Sequence, residues 1–178
     1  SLHTFGGMPG MMAGLCTFLL AAFLSLFPAA VGALSKHISK NQKHAFLIAV
    51  PIFWALADWI RSWIFTGFPW LTIGYSQLPH SPLAGYVPLI GIYGTSFITV
   101  LIASLTTALL TKNLASSCRR GAAGALVLII ITGALLKLVT WGTPSGAPVS
   151  VSLLQGNIDQ TIKWAPETAQ RTLHQYLN

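Results

Sequence analysis

The stretch MMAGLCTFLLAAFLSLFPAAVGAL, residues 11–34, contains no charged side chain. At ~1.5 Å per helical residue it is long enough to cross a hydrocarbon core about 30 Å thick. It does not read as a removable leader, because no basic segment precedes it and no cleavage site follows. It is a membrane span, and the composition agrees. Of 178 residues, 53% are hydrophobic and only 7% charged, against about 25% charged in an ordinary soluble domain. So few charges do not make a solvated surface around a core. Lipid is therefore the bulk solvent for most of this chain.

Outward from that stretch, residues 45–65, 86–111 and 121–141 read as three more spans, giving four in a transmembrane region over residues 1–141. The connections set the direction. Lys36, Lys40 and Lys43 lie between the first two spans, and Lys112, Arg119 and Arg120 between the last two. Residues 1–10 and 66–85 hold no Lys or Arg. By the positive-inside rule the basic loops are cytoplasmic, and residues 1–10, 66–85 and everything after Trp141 lie outside. The net charge of +7, set against three acids (Asp58, Asp159 and Glu167), thus reads as topology and not as nucleic-acid binding. Cys16 and Cys118 show no disulfide framework and no metal-ligand spacing.

Asp58 and Arg61 are three apart within the second span and share one helical face. With the helix running to Phe65 they sit about 10 Å below its outer end. They are either part of a polar site facing the outer leaflet or a neutralised pair that locks helix packing. Lys137 is expected to snorkel to the outer interface beside Trp141. Gly91 with Gly94, and Gly121 with Ala125, read as small-residue positions for close helix contact.

The outer loop TGFPWLTIGYSQLPHSPLAG, residues 66–85, has no formal charge and one titratable group, His80. It offers Phe68, Trp70, Ile73 and Tyr75 on a chain broken by Gly67, Pro69 and Gly74. That much apolar surface suits headgroup depth better than water. It is either a hydrophobic vestibule admitting lipid chains or an aromatic belt.

Residues 142–148 form a Gly/Pro linker. Val149, Val151 and Leu153 then alternate with Ser150 and Ser152, a strand pattern closed by the turn-prone Gln155-Gly156-Asn157. Ala169, Leu173 and Tyr176 follow at helical spacing, with Pro166 and Glu167 suited to a first turn. One strand and one helix do not bury a core. Residues 149–178 are expected to open a domain whose remainder lies beyond Asn178, and Ser1 in place of an initiator Met suggests missing sequence upstream.

The ordered blocks TFGGMPG (4–10), TGFPWLTIGYSQ (66–77), SPLAGYVPLIGIYGTSF (81–97) and VSLLQGNIDQTIKW (151–164) resemble the apolipoprotein N-acyltransferases of bacterial lipoprotein maturation. The resemblance spans essentially the whole chain. It implies a polytopic α-helical membrane bundle, four of its helices present here. Behind it come the first strand and helix of a nitrilase-like α/β/β/α domain, truncated, in the periplasm of an inner-membrane protein. It also implies acyl transfer from a phospholipid, through a cysteine thioester, to the α-amine of an apolipoprotein's diacylglyceryl-cysteine. No metal or cofactor is needed, since the thioester stores the activated acyl group. The partners implied are the phospholipid donor, the apolipoprotein acceptor and membrane lipid.

A Glu-Lys-Cys set suits this chemistry: a carboxylate takes the thiol proton and an ammonium stabilises the oxyanion. No residue here fills those roles. Cys16 lies within a span, Cys118 lies on the cytoplasmic side, and Lys163 and Glu167 come too early, so the set is expected beyond Asn178. Trp164 is the position the resemblance brings nearest to the active-site mouth, with capping of the first strand as its structural alternative. The resemblance also makes Phe68, Pro69, Trp70 and Tyr75 candidates for a lipid entrance, while Gln155 and Asn157 read as turn residues. Two other functions fit the composition: a transporter with Asp58–Arg61 on its pathway, or a non-catalytic membrane anchor. The transporter reading lacks midplane charges and internal repeats. A Trp-Pro-Glu, a lysine and a cysteine encoded beyond position 178 separate the enzyme from the anchor.

Overall fold

In the computed structural model the chain is helical, and the residues described are 2–4, 6–40, 45–111, 115–159, 162–163 and 168–177. Five α-helices appear among them: α1 (Gly10–Ile38), α2 (Ala45–Arg61), α3 (Val87–Leu110), α4 (Ser116–Leu136) and α5 (Ala169–Leu177). Three 3-10 turns, Ile64–Thr66, Ile73–Gln77 and Pro82–Tyr86, fill the connection from α2 to α3. The chain divides into two compact units, Ala22–Thr143 and Ser1–Ala21 with Pro144–Asn178.

Among the described residues, three helices are long and apolar enough to cross a membrane: Gly10–Ile38, Pro82–Leu110 and Ser116–Leu136. Within the larger unit, α3 packs against α2 and against α4. Small residues (Ala49, Ala108, Ala122, Gly133, Thr95 and Ser96) are buried beside Val31, Leu83, Ile98 and Val100. In lipid there is no water to drive helices together, so close backbone approach does that work. The hydroxyls of Thr95, Thr99, Thr106 and Thr107 donate to the carbonyl four residues earlier at 2.8–2.9 Å. That satisfies polar groups inside an apolar helix. Leu26, Val31, Phe53 and Ile60 of α1 and α2 help to line a wholly apolar cavity of about 330 Å³.

Several elements differ from expectation. The helix expected over 45–65 ends at Arg61, and a 3-10 turn follows in which Phe65 (φ 49) and Thr66 (φ 73) take left-handed backbone. The carbonyl freed at Arg61 accepts from the N–H of Phe68 at 2.8 Å, so the loop caps the helix. The helix expected at 121–141 is Ser116–Leu136, which places Arg119 and Arg120 in its first turns. The strand expected at Val149–Leu154 does not form: residues 147–159 hold no helix or strand. A strand needs a neighbour for its backbone groups, and none is present among the described residues.

In the smaller unit Asn157 turns through φ 47, a conformation that asparagine tolerates. Gly156 lies against the Tyr176 ring, where a Cβ would come within 2.8 Å of Cζ, and its carbonyl accepts from Gln175 Nε2 at 2.7 Å.

Gly91 is a second difference. It breaks α3 at φ 64, ψ −172, a backbone conformation confined to glycine, and a Cβ there would touch nothing within 4 Å. Its role is conformational, not packing. Gly121 likewise meets no neighbour, and Gly94 packs only on Ile90 of its own helix. The close helix approach lies instead at Gly133, where an added Cβ would stand 2.8 Å from the Pro82 carbonyl and the Tyr86 ring. Gly85 faces it from the 3-10 turn, against the Gly133 carbonyl.

Candidate functional site

Residues 62–86 make one continuous structure over the ends of α2, α3 and α4. Its first half is irregular. Gly67 (φ 89) is required, since a side chain there would overlap the Ser62 carbonyl. Leu71, not a glycine, also sits at positive φ (67). Thr72 Oγ1 donates to the Pro69 carbonyl at 2.7 Å, and the Tyr75 N–H donates to the Thr72 carbonyl at 3.1 Å. These bonds fold the segment into a tight arch.

The arch carries the predicted aromatic set. Phe68 and Trp70 stack with ring centroids 6.3 Å apart at 26°. Trp70 is 73% exposed, Pro69 and Tyr75 are exposed, and Phe68 is half-buried. Phe65, also exposed, meets the Phe23 ring of α1 edge-on at 5.7 Å. The structure thus brings Phe68, Pro69, Trp70 and Tyr75 onto one loop. Trp164 and Glu167 lie outside the described residues. Cys16 is on an exposed face of α1, and Cys118 is in the first turn of α4.

Beneath the arch lies a polar cluster. Arg61 Nη2 donates to Asp58 Oδ1 at 2.8 Å, and Asp58 is only 2% exposed. Because α2 ends at Arg61, the pair occupies its last turn, with the guanidinium at the helix C-terminus where a cation is favoured. Ser96 and Ile73 lie beside the Asp58 carboxylate, whose hydrogen bond comes from Arg61, while Oδ2 completes none. Ser96 Oγ accepts from the Gly74 N–H at 3.0 Å in a buried contact. Sequence reasoning found Asp58 and Arg61 but missed Ser96 and Gly74.

The second half of the loop is held differently. The Tyr86 hydroxyl donates to the Ile129 carbonyl at 2.8 Å, and Ser81 Oγ caps the Pro82–Tyr86 turn by accepting from the Leu83 N–H. Lys137, at the end of α4, reaches the loop. Its Nζ donates to the carbonyls of Pro79 and His80, both at 3.1 Å, and so clasps the loop to the end of α4. Trp141 Nε1 donates to the Leu136 carbonyl at 3.3 Å.

Residues 1–105 match the family described as apolipoprotein N-acyltransferase N-terminal domain. The chain belongs to the apolipoprotein N-acyltransferase family. A relative of that name from Nitrosomonas europaea is 44% identical over 176 residues, covering 99% of this chain and 35% of its own length. Those from Chromobacterium violaceum and Coxiella burnetii are 39% and 41% identical, each covering 99% of this chain and 34% and 36% of their own lengths. The chain therefore spans about a third of the relatives it matches. Membership of the family and its three apolar helices make it a membrane protein.

Proposed function

We propose that this chain is the membrane-embedded, lipid-admitting part of an N-acyltransferase of the bacterial inner membrane. The enzyme would move an acyl chain from a phospholipid to the α-amine of an apolipoprotein's N-terminal diacylglyceryl-cysteine. The observation that carries this reading is the uncharged arch with Phe68, Pro69, Trp70 and Tyr75 on one loop, in a chain of this family. Aromatic side chains on a loop free of formal charge suit headgroup depth, where an acyl chain leaves the bilayer.

The chemistry runs in two balanced steps. A thiolate attacks the phospholipid ester carbonyl, expelling the lysophospholipid alkoxide, which takes up a proton and leaves a thioester. The lipoprotein amine then attacks the thioester, forming the amide and returning the thiol. We assign the carboxylate, lysine and cysteine to sequence beyond Asn178. Trp164 is assigned to the rim of that site, and Val149–Leu154 to a strand that forms when a partner strand is supplied. In this reading α2 is a fourth span, the basic loops are cytoplasmic, and the arch and the soluble domain are periplasmic.

The test is transfer of a labelled acyl chain from phospholipid to a diacylglyceryl-cysteine peptide by the full-length protein in vesicles. Absence of transfer refutes the assignment. Trp70→Ala and Trp164→Ala, with insertion intact, are each expected to lower kcat/KM about tenfold, the scale of one lost aromatic contact. Undiminished turnover in either variant returns that tryptophan to packing.

A further inference from the structure

We propose that Asp58, Ser96 and Gly74 form a buried latch that holds the arch docked on α2 and α3, making them positioning residues for whatever enters beneath Trp70. Its bearing on turnover rests on the proposed function; the docking itself does not.

The arch's tip is not held by its apolar side chains. Trp70 is 73% exposed and Leu71 82%, whereas Thr72 is 3% exposed and Gly74 is buried. Its backbone is also costly. Phe65, Thr66 and Leu71 all lie at positive φ without being glycine, and Thr66 is β-branched. Such residues persist only where the surroundings impose them.

What imposes them is polar and buried. The Gly74 N–H donates to the buried Ser96 Oγ at 3.0 Å. Ser96 of α3 and Ile73 of the arch lie beside the Asp58 carboxylate. Arg61 neutralises Asp58 with its side chain, and its carbonyl receives the Phe68 N–H. Gly74 fits because it has no Cβ: one would overlap the Ile92 carbonyl and stand 3.0 Å from the Ser96 nitrogen.

The pair is joined within α2, and Ser96 of α3, which receives the Gly74 N–H of the arch, lies beside its carboxylate. The second half of the loop has its own anchors, Lys137 and the Gly85–Gly133 contact, so the two halves are separable.

The test is hydrogen exchange of the full-length protein in nanodiscs, comparing peptides over 70–78 with those over 79–86 and 122–136. Ser96→Ala is expected to raise exchange over 70–78 about tenfold, the shift produced by losing one buried hydrogen bond. The other two regions should be unchanged, and they report that the bundle is folded. Ser96→Thr, which keeps the hydroxyl, should restore protection. Gly74→Ala should act as Ser96→Ala does. Unchanged exchange over 70–78 in both variants overturns the latch, as does a rise spread evenly over all three regions. In the acyl-transfer assay Ser96→Ala should raise KM for the phospholipid severalfold with little change in kcat. Should exchange rise while KM stays constant, the latch stands and the lipid-entrance reading fails.

Discussion

Asp58 has a carboxylate oxygen without a complete hydrogen bond and one strong partner, Arg61. Arg61 Nε is buried without a partner as well. Such a pair adds little net stability over an apolar replacement, yet breaking it leaves a charge stranded. Asp58→Ala should therefore cost about 3–5 kcal/mol in unfolding free energy, and the double change Asp58→Leu with Arg61→Met much less. Reversible unfolding of the full-length protein in detergent would measure both. A single-variant loss under about 1 kcal/mol would place the pair among solvent-screened ones. Asp58 and Arg61 were legible in the sequence because charges in an apolar run are conspicuous. Ser96 was not: a serine in such a helix reads as neutral filler, and Gly74 lies 22 residues away.

At the scale of elements, three of the four expected spans return as helices long and apolar enough to cross a membrane, since a lipid solvent leaves a long apolar run as their mark; α2, with 17 residues, is shorter. Their ends were not legible, because the backbone decides them. α2 stops at Arg61, ahead of the 3-10 turn where Phe65 and Thr66 turn left-handed, and α4 begins at Ser116 and ends at Leu136. The alternation at Val149–Leu154 gives no strand among the described residues, since period alone supplies no neighbour for its backbone groups. Gly91 and Gly133 look alike in sequence, yet one serves φ and the other contact. Gly91→Ala should therefore straighten or strain α3 and cost about 1–3 kcal/mol although the space for a methyl is open. A melting temperature equal to the parent's would contradict this.

For the whole molecule, orientation is the testable quantity. Lys36, Lys40, Arg119 and Arg120 stand at one end of the apolar helices, and the uncharged loop joins α2 to α3 at the other. Single cysteines at His37 and His80, both exposed, should react with an impermeant maleimide from opposite faces of the membrane. Labelling from one face alone would refute the orientation. The loop's place between α2 and α3, free of Lys and Arg, was legible in the sequence. Its docking was not, since the Gly74–Ser96 and Lys137–Pro79 bonds join residues far apart in sequence through groups that leave no periodic trace.

The break in α3 also sets what inheritance can do at that point. A glycine codon changed at any one base yields another glycine, a stop, or a residue with a Cβ, and at φ 64, ψ −172 every such side chain is disfavoured by the backbone itself. Polarity and size, which decide tolerance at most lipid-facing sites, would hardly matter there. A saturation library selected for function should thus show Gly91 depleted of all replacements alike. At Gly133, where the obstacle is a neighbouring ring and carbonyl, alanine should be lost least and the larger residues most.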